Sequence, residues 1–230
     1  MTAAPASAFL PADEVLAGDL PVRVSMEPVV SGAPFAYEKV VHDGADGFFA
    51  VWACDAGVYP RVKDRRGSFM YIISGDATIT DRDGGRHELT PGSVLVLPYG
   101  WAGRWDIRQT IRKVYLHTTP VPPFRPGAQL SAFLPSDQLL PDRVIFDGPD
   151  GRCAVWSCRP GDYPRVQAGS FSYVLSGEAT VTDVAGTAHQ LTTGSVLALP
   201  RGWRGTWEIR QTMRAVQVAG APDGGAGDGV

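Results

Sequence analysis

Two long stretches of this chain occur twice, in the same order and at the same separation. Gly-Ser-Phe-Met-Tyr-Ile-Ile-Ser-Gly at Gly67–Gly75 returns as Gly-Ser-Phe-Ser-Tyr-Val-Leu-Ser-Gly at Gly169–Gly177. Gly-Ser-Val-Leu-Val-Leu-Pro-Tyr-Gly-Trp at Gly92–Trp101 returns as Gly-Ser-Val-Leu-Ala-Leu-Pro-Arg-Gly-Trp at Gly194–Trp203. Ile-Arg-Gln-Thr opens at Ile107 and again at Ile209, so the offset is 102 residues throughout. A period this long marks a duplicated folding unit and not a solenoid module. Each unit, at roughly 100 residues, is large enough to bury a core of its own or to share one with its twin.

Within each unit the periodicity is that of strands. Phe48–Cys54 and Arg152–Cys158 are short apolar runs closed by turn residues. Phe69–Ser74 and Ala77–Asp81 flank a Gly-Asp pair, and Asp83-Gly84-Gly85 is a tight hairpin signal. Many short strands with Gly and Pro punctuation, and no long helical period, predict an all-β chain of two tandem jelly-roll barrels. The expected organisation is an N-terminal barrel with its arm over 1–119, a Pro-rich linker over 120–132, a C-terminal barrel over 133–219 and a disordered Gly-rich tail over 220–230. Pro120, Pro122, Pro123 and Pro126 make the linker stiff and extended. Phe9-Leu-Pro-Ala-Asp and Phe133-Leu-Pro-Ser-Asp read as lead-in segments of the two units, each suiting a turn or short helix.

The repeated motifs resemble those of the cupins, and two copies in register resemble a bicupin. Gly75 and Gly177 fit the glycine that closes the first cupin motif. Gly92, Pro98 and Gly100, with Gly194, Pro200 and Gly202, fit the second. The Gly-Trp turns and Thr-Ile-Arg-Lys-Val-Tyr are similar to the subgroup of ethanolamine-utilisation and ureidoglycine-aminohydrolase-like cupins. The resemblance implies a double-stranded β-helix and, in metal-binding relatives, two His and a Glu from the first motif with a His from the second. In this chain the Glu position falls on Ser68 and Ser170, and the second-motif His on Gly103 and Gly205. The paired His positions fall within Arg61–Arg66 and Arg165–Ala168, where there is no His. A hydroxyl and a glycine hydrogen cannot hold a divalent ion. No metal and no other cofactor is expected. His87 and His189 read as surface hairpin residues; His42 and His117 have no counterpart in the other copy.

Alternation along the strands suggests what replaces the ion. If Gly103 points inward, so do Trp105 and Ile107; if Ser68 does, so do Met70 and Ile72. The second copy would present Ser170, Ser172 and Trp207. Glycine at the old His position is expected to leave room beside the indole. An aromatic wall with one or two hydroxyls suits a small, partly apolar ligand. Tyr59-Pro-Arg61 and Tyr163-Pro-Arg165 are repeated unchanged and either clamp a carboxylate at the mouth or form a structural turn. Trp101 and Trp203 either close the pocket or anchor their turns, and Trp52 and Trp156 read as core. Arg108 and Arg210 are expected to pair with Asp106 and Glu208 on the same strand face.

The net charge is -3, and no Lys/Arg stripe interleaves with aromatics, which argues against a nucleic-acid partner. No apolar run reaches the length of a membrane span, so no membrane partner and a cytoplasmic location are expected. Cys54, Cys153 and Cys158 are too few and odd in number for a disulfide framework. Cys54 and Cys158, in matching positions, read as buried strand residues. The functional expectation is a metal-independent bicupin that binds a small metabolite, a carboxylate foremost. Its alternative is an enzyme of small-metabolite or nitrogen catabolism: an isomerase, a lyase or a ureidoglycine-aminohydrolase-like hydrolase. The repeated cavity positions carry no His or acid, which favours binding. The N-terminal arm offers a route to a homodimer, and the sequence leaves open which copy is the active one.

Overall fold

Duplication at the level of sequence becomes duplication of sheets. The computed structural model describes residues 6–118, 125–139, 142–149, 151–166 and 169–219, with the side chains of Thr118, Arg165 and Val166 outside that description. Most of the expected linker and all of the expected tail therefore lie outside the described residues. Where the linker is described, Pro126 stands in a turn closed by the Ala128 N–H on the Arg125 carbonyl, so that part is not extended.

The first copy builds a 10-stranded sheet and the second an 8-stranded sheet, both antiparallel and wound into barrels. Each barrel is organised around one long strand, Ala102–Thr118 in the first and Arg204–Ala219 in the second. The early part of Ala102–Thr118 pairs with Gly57–Val62, its later part pairs with Gly47–Cys54, and Ser68–Asp81 runs along its length on the other side. The register of that last pair slips between Ile107 and Arg112, which bends the strand around the barrel. Gly75 makes the bend possible. It has φ +95°, and a Cβ there would drive into Thr110 and Ile111 of the opposite strand.

Alternation divides each strand between two cores. Met70 and Ile72 point into the first barrel with Leu95, Leu97, Trp105 and Ile107. Phe69, next to Met70 in the repeat, points outward with Phe49, Val51, Val114 and Leu116 to meet Phe171, Tyr173, Val216 and Val218 from the second barrel. The two barrels are thus joined by a continuous apolar seam, with Tyr71 and Tyr173 at a ring separation of 4.4 Å. The described residues form three packed regions: two barrel interiors and the seam between them.

The lead-in segments behave differently from the sequence expectation. Each was assigned to the unit that follows it, but their strands are exchanged. Ala8–Leu10 pairs with Val196–Leu199 of the second barrel, and Ala132–Leu134 pairs with Val94–Leu97 of the first. Phe9 stacks on His189 at 4.9 Å and Phe133 packs on His87 at 5.2 Å, so both hairpin histidines are covered by the arriving strand. The helix Ala12–Ala17 follows the first lead-in strand and ends on Arg112, whose guanidinium donates to the carbonyls of Glu14, Val15 and Gly18. Sequence periodicity reports which face of a strand is apolar. It carries no signal for which of two similar barrels supplies the edge, and here each segment closes its twin's sheet.

Other local readings shift in the same way. Arg108 reaches across strands to Asp76 and Glu88 and not along its own strand to Asp106. Cys54 and Cys153 are buried, whereas Cys158 is partly exposed.

Candidate functional site

A cavity of about 530 Å³ opens in the first barrel. Its wall comes from alternate residues of three neighbouring strands: Glu38 from Phe35–Gly44, Phe48 and Trp52 from Gly47–Cys54, and Lys113, Tyr115 and His117 from Ala102–Thr118. The loop after Gly57–Val62 adds Lys63, Asp64, Arg65 and Arg66, and exposed Val22, Val24 and Val62 form an apolar rim.

The centre of the site is an ammonium group where the sequence expectation had apolar wall. Lys113 is 6% exposed. Its Nζ lies 4.0 Å from the centre of the Trp52 ring, 4.5 Å from Trp105 and 5.9 Å from Tyr115. Its polar contact is the Met70 sulfur at 3.3 Å, and among the described residues no carboxylate lies within ion-pairing distance. Burial pushes the Lys113 amine down to about 7, with Arg61 opposing its charge and Glu38 favouring it. Lys63, the second amine of the cavity, is held well below the ordinary lysine range by burial first and then by the charges of Lys113 and Arg61. The Lys63 Nζ donates to Ser68 Oγ at 2.7 Å.

The remaining polar groups form two short relays. His117 Nδ1 donates to the Gly67 carbonyl and lies 3.2 Å from Ser68 Oγ. Burial and the neighbouring Lys63 push its imidazole down to about 3, so it is neutral with Nε2 as the basic nitrogen. The Tyr115 hydroxyl donates to Glu38, and burial with that carboxylate raises the phenol well above its usual value. The Tyr59 hydroxyl is likewise raised by burial, beside Cys54, whose thiol burial pushes up to about 11. A thiolate at Cys54 is therefore disfavoured near neutral pH.

Of the residues singled out from sequence, Tyr59, Arg61 and Trp105 line this cavity, and Ser68 and Met70 touch its two amines. Trp101 does not. Its indole is fully buried, donates to Asp81 at 2.6 Å, and lies across Gly103, so a Cβ at Gly103 would overlap the ring. Trp203 covers Gly205 in the same manner. Glycine at the old His position thus leaves no room beside Trp105, contrary to expectation; the tryptophan two residues earlier fills it.

The second-barrel candidates gather differently. Ser170, Ser172 and Trp207 are buried, and Trp207 meets Trp156 edge-to-face at 6.1 Å. The Tyr163 hydroxyl turns to the Arg159 carbonyl at 3.2 Å, and the Arg165 side chain lies outside the described residues. Where the first barrel has Lys113, Tyr115 and His117, the second has Ala215, Gln217 and Ala219. His42 faces the seam, paired with Asp46 at 3.0 Å and packed on Phe171.

Sequence reasoning followed the repeated positions and so left out Glu38, Lys63, Lys113 and Tyr115, read Trp52 as core, and gave no site role to His117, which has no counterpart in the other copy. A signal was present. The chain has three lysines, all in the first copy, and two of them enter this cavity. The two copies also diverge at three alternate residues of one strand, the pattern of a single altered face.

Among the described residues there is no group of three or more His, Cys, Asp or Glu that could hold a metal ion, and no helix long and apolar enough to cross a membrane. No curated protein sequence matches the chain. Solved structures share its fold. Salicylate 1,2-dioxygenase from Pseudoaminobacter salicylatoxidans superposes with a TM-score of 0.66 at 11% identity, over 95% of this chain and 83% of that one. Protein Ylba from E. coli gives 0.65 at 14% identity, over 96% and 93%. A Cupin 2 conserved barrel domain protein from Leptotrichia buccalis gives 0.62 at 8% identity, over 89% and 99%. At such identities the likeness speaks for the fold alone. The sequence profile of the EutQ-like cupin domain matches twice, over residues 45–115 and 148–216, one match to each barrel. The chain belongs to the EutQ-like cupin domain family and is a bicupin.

Proposed function

We propose that the first barrel binds a small carboxylate metabolite without a metal ion, and that the second barrel is its structural partner. The observation that carries this reading is Lys113: a cation sunk among aromatic rings on the wall of an open cavity, with no carboxylate of its own among the described residues. Burying an ammonium is costly unless an anion meets it. A bound carboxylate would supply that anion. Lys63 supplies a second amine donor, and Arg61, Arg65 and Arg66 bring positive charge to the approach.

The same donors speak against a divalent ion at this place. Two amines, a serine hydroxyl that accepts from one of them, a lone imidazole with one nitrogen already engaged and a Glu38 carboxylate that already accepts from Tyr115 do not make a coordination set, and among the described residues no three His, Cys, Asp or Glu converge to hold an ion.

A second reading, an acid–base enzyme on the same cavity, is favoured by one observation: the Lys113 amine titrates near 7, where a group can take and return protons. Both readings predict binding first. A thermal-shift series on the full chain with acetate, lactate, a ureide and a neutral sugar tests it. Stabilisation by the carboxylates, lost in Lys113→Met and kept in Trp207→Ala, is expected. A response to the sugar alone, or stoichiometric transition metal in the purified protein, would overturn the reading.

A further inference from the structure

We propose that Lys113 is a covalent site: its amine condenses with the carbonyl of a 2-oxo acid to form an imine inside the first barrel. This inference rests on the carboxylate reading above and narrows it to one substrate class. The geometry is that of a nucleophilic lysine. Nζ is enclosed by Trp52, Trp105 and Met70, with no ion pair to hold it as a spectator charge among the described residues. A second amine, Lys63, shares the cavity, and the guanidinium of Arg61 on the same wall disfavours a proton on Lys113, as neighbouring cations do in amine nucleophiles. The third lysine, Lys39, is the opposite case, ion-paired to Glu14 outside the cavity.

The ligand class follows from the pairing of needs. Lys63 and the arginines of the mouth call for a carboxylate, and the Lys113 amine calls for an electrophilic carbon close to it. A carboxylate with an adjacent carbonyl meets both in a molecule small enough for about 530 Å³.

The step balances without any further reagent. The lone pair of the neutral Lys113 amine attacks the carbonyl carbon, a C–N bond forms, and the carbonyl oxygen takes up a proton as the nitrogen loses one. The resulting carbinolamine loses its C–O bond, the hydroxyl leaves as water after a second protonation, and the nitrogen gives up its remaining proton. Amine and carbonyl become imine and water. Glu38, which accepts from the Tyr115 hydroxyl, stands on the same wall of the cavity as Lys113.

The test is reductive trapping. Full-length protein is incubated with pyruvate and borohydride, and the product is read by intact mass and peptide mapping. One reduced adduct per chain on Lys113, absent without pyruvate and absent in Lys113→Met, is expected. Mapping in the wild-type protein locates the adduct even if that variant folds poorly. Adducts spread equally over Lys39 and Lys113, or confined to Lys63, would overturn the proposal. Lactate, which has the carboxylate and no carbonyl, separates the two levels. If lactate and pyruvate both stabilise the protein and pyruvate leaves no adduct, the imine is wrong and the carboxylate site stands. If neither stabilises it and no adduct forms, both are wrong.

Discussion

Replacing Lys113 with Met should make the protein more stable, and by an amount that depends on pH. The folded amine titrates near 7, against 10.5 for an ordinary lysine. At about 1.4 kcal/mol per pKa unit, the full linked difference is about 5 kcal/mol. The ring faces of Trp52, Trp105 and Tyr115 favour the charged form and return about 1–2 kcal/mol of it. The sign follows from proton counts. Between the two pKa values the unfolded chain holds a proton that the folded chain has lost, so wild-type stability rises with pH across that window. It is lost again as pH falls toward 7. Met fills a similar volume against Met70 and carries no charge to bury. Urea unfolding of both proteins at about pH 6 and about pH 9 should show the advantage of Lys113→Met shrinking by about 2 kcal/mol as pH rises. Titrating groups away from the cavity act on both proteins alike and cancel, whereas Lys63 and His117, each held down in part by the Lys113 charge, are released in the variant. Parallel curves, with the same difference at both pH values, would refute the burial of a reluctant cation in this barrel.

Three further outcomes test the frame around the site. Gly103→Ala should lower stability by about 3 kcal/mol in chemical denaturation, because its Cβ has nowhere to go between the Thr80 carbonyl and the Trp101 ring. Trp101→Phe should cost about 2 kcal/mol more than Trp203→Phe in the same assay. The first loses the bond to Asp81, whereas Asp183 accepts from the amides of Ala185 and Thr187 and the Trp203 indole N–H has no acceptor among the described residues. Arg112→Ala should free the end of the helix Ala12–Ala17 and cost about 2–3 kcal/mol, seen as faster amide exchange at Ala17 and Gly18. Arg214→Ala, with one longer bond to the Leu139 carbonyl and a 3.7 Å ion pair to Asp142, should cost less.

The fold was legible because repetition and strand alternation are local and strong. Gly75 and Gly177 stand where a long strand must cross its neighbour without a Cβ, and the sequence marks both. Inward residues at Met70, Ile72 and Trp105 followed from alternation once the cupin resemblance set Ser68 and Gly103 inward. The exchange of Ala8–Leu10 and Ala132–Leu134 was not legible, since the repeated Gly-Ser-Val-Leu strands of the two barrels offer a similar edge to either segment. The site was half legible. Tyr59, Arg61 and Trp105 were found because they repeat. Lys113 and His117 were passed over because they do not, and because a lysine at an inward position runs against the usual apolar filling of a barrel. The place of Trp101 depends on a side-chain direction that spacing does not encode: its ring folds back over Gly103 and fills the space a histidine would need.

Three lysines in the whole chain make the central claim directly observable. Lysine labelled at Cε and Nζ gives three NMR signals that can be followed through pH, first alone and then with lactate. The expected result is one signal, lost in Lys113→Met, that titrates near 7 in the free protein and moves to higher pH when the carboxylate is added. Three lysines that all titrate in the ordinary range, or a Lys113 signal indifferent to every carboxylate tried, would contradict an anion site in the first barrel.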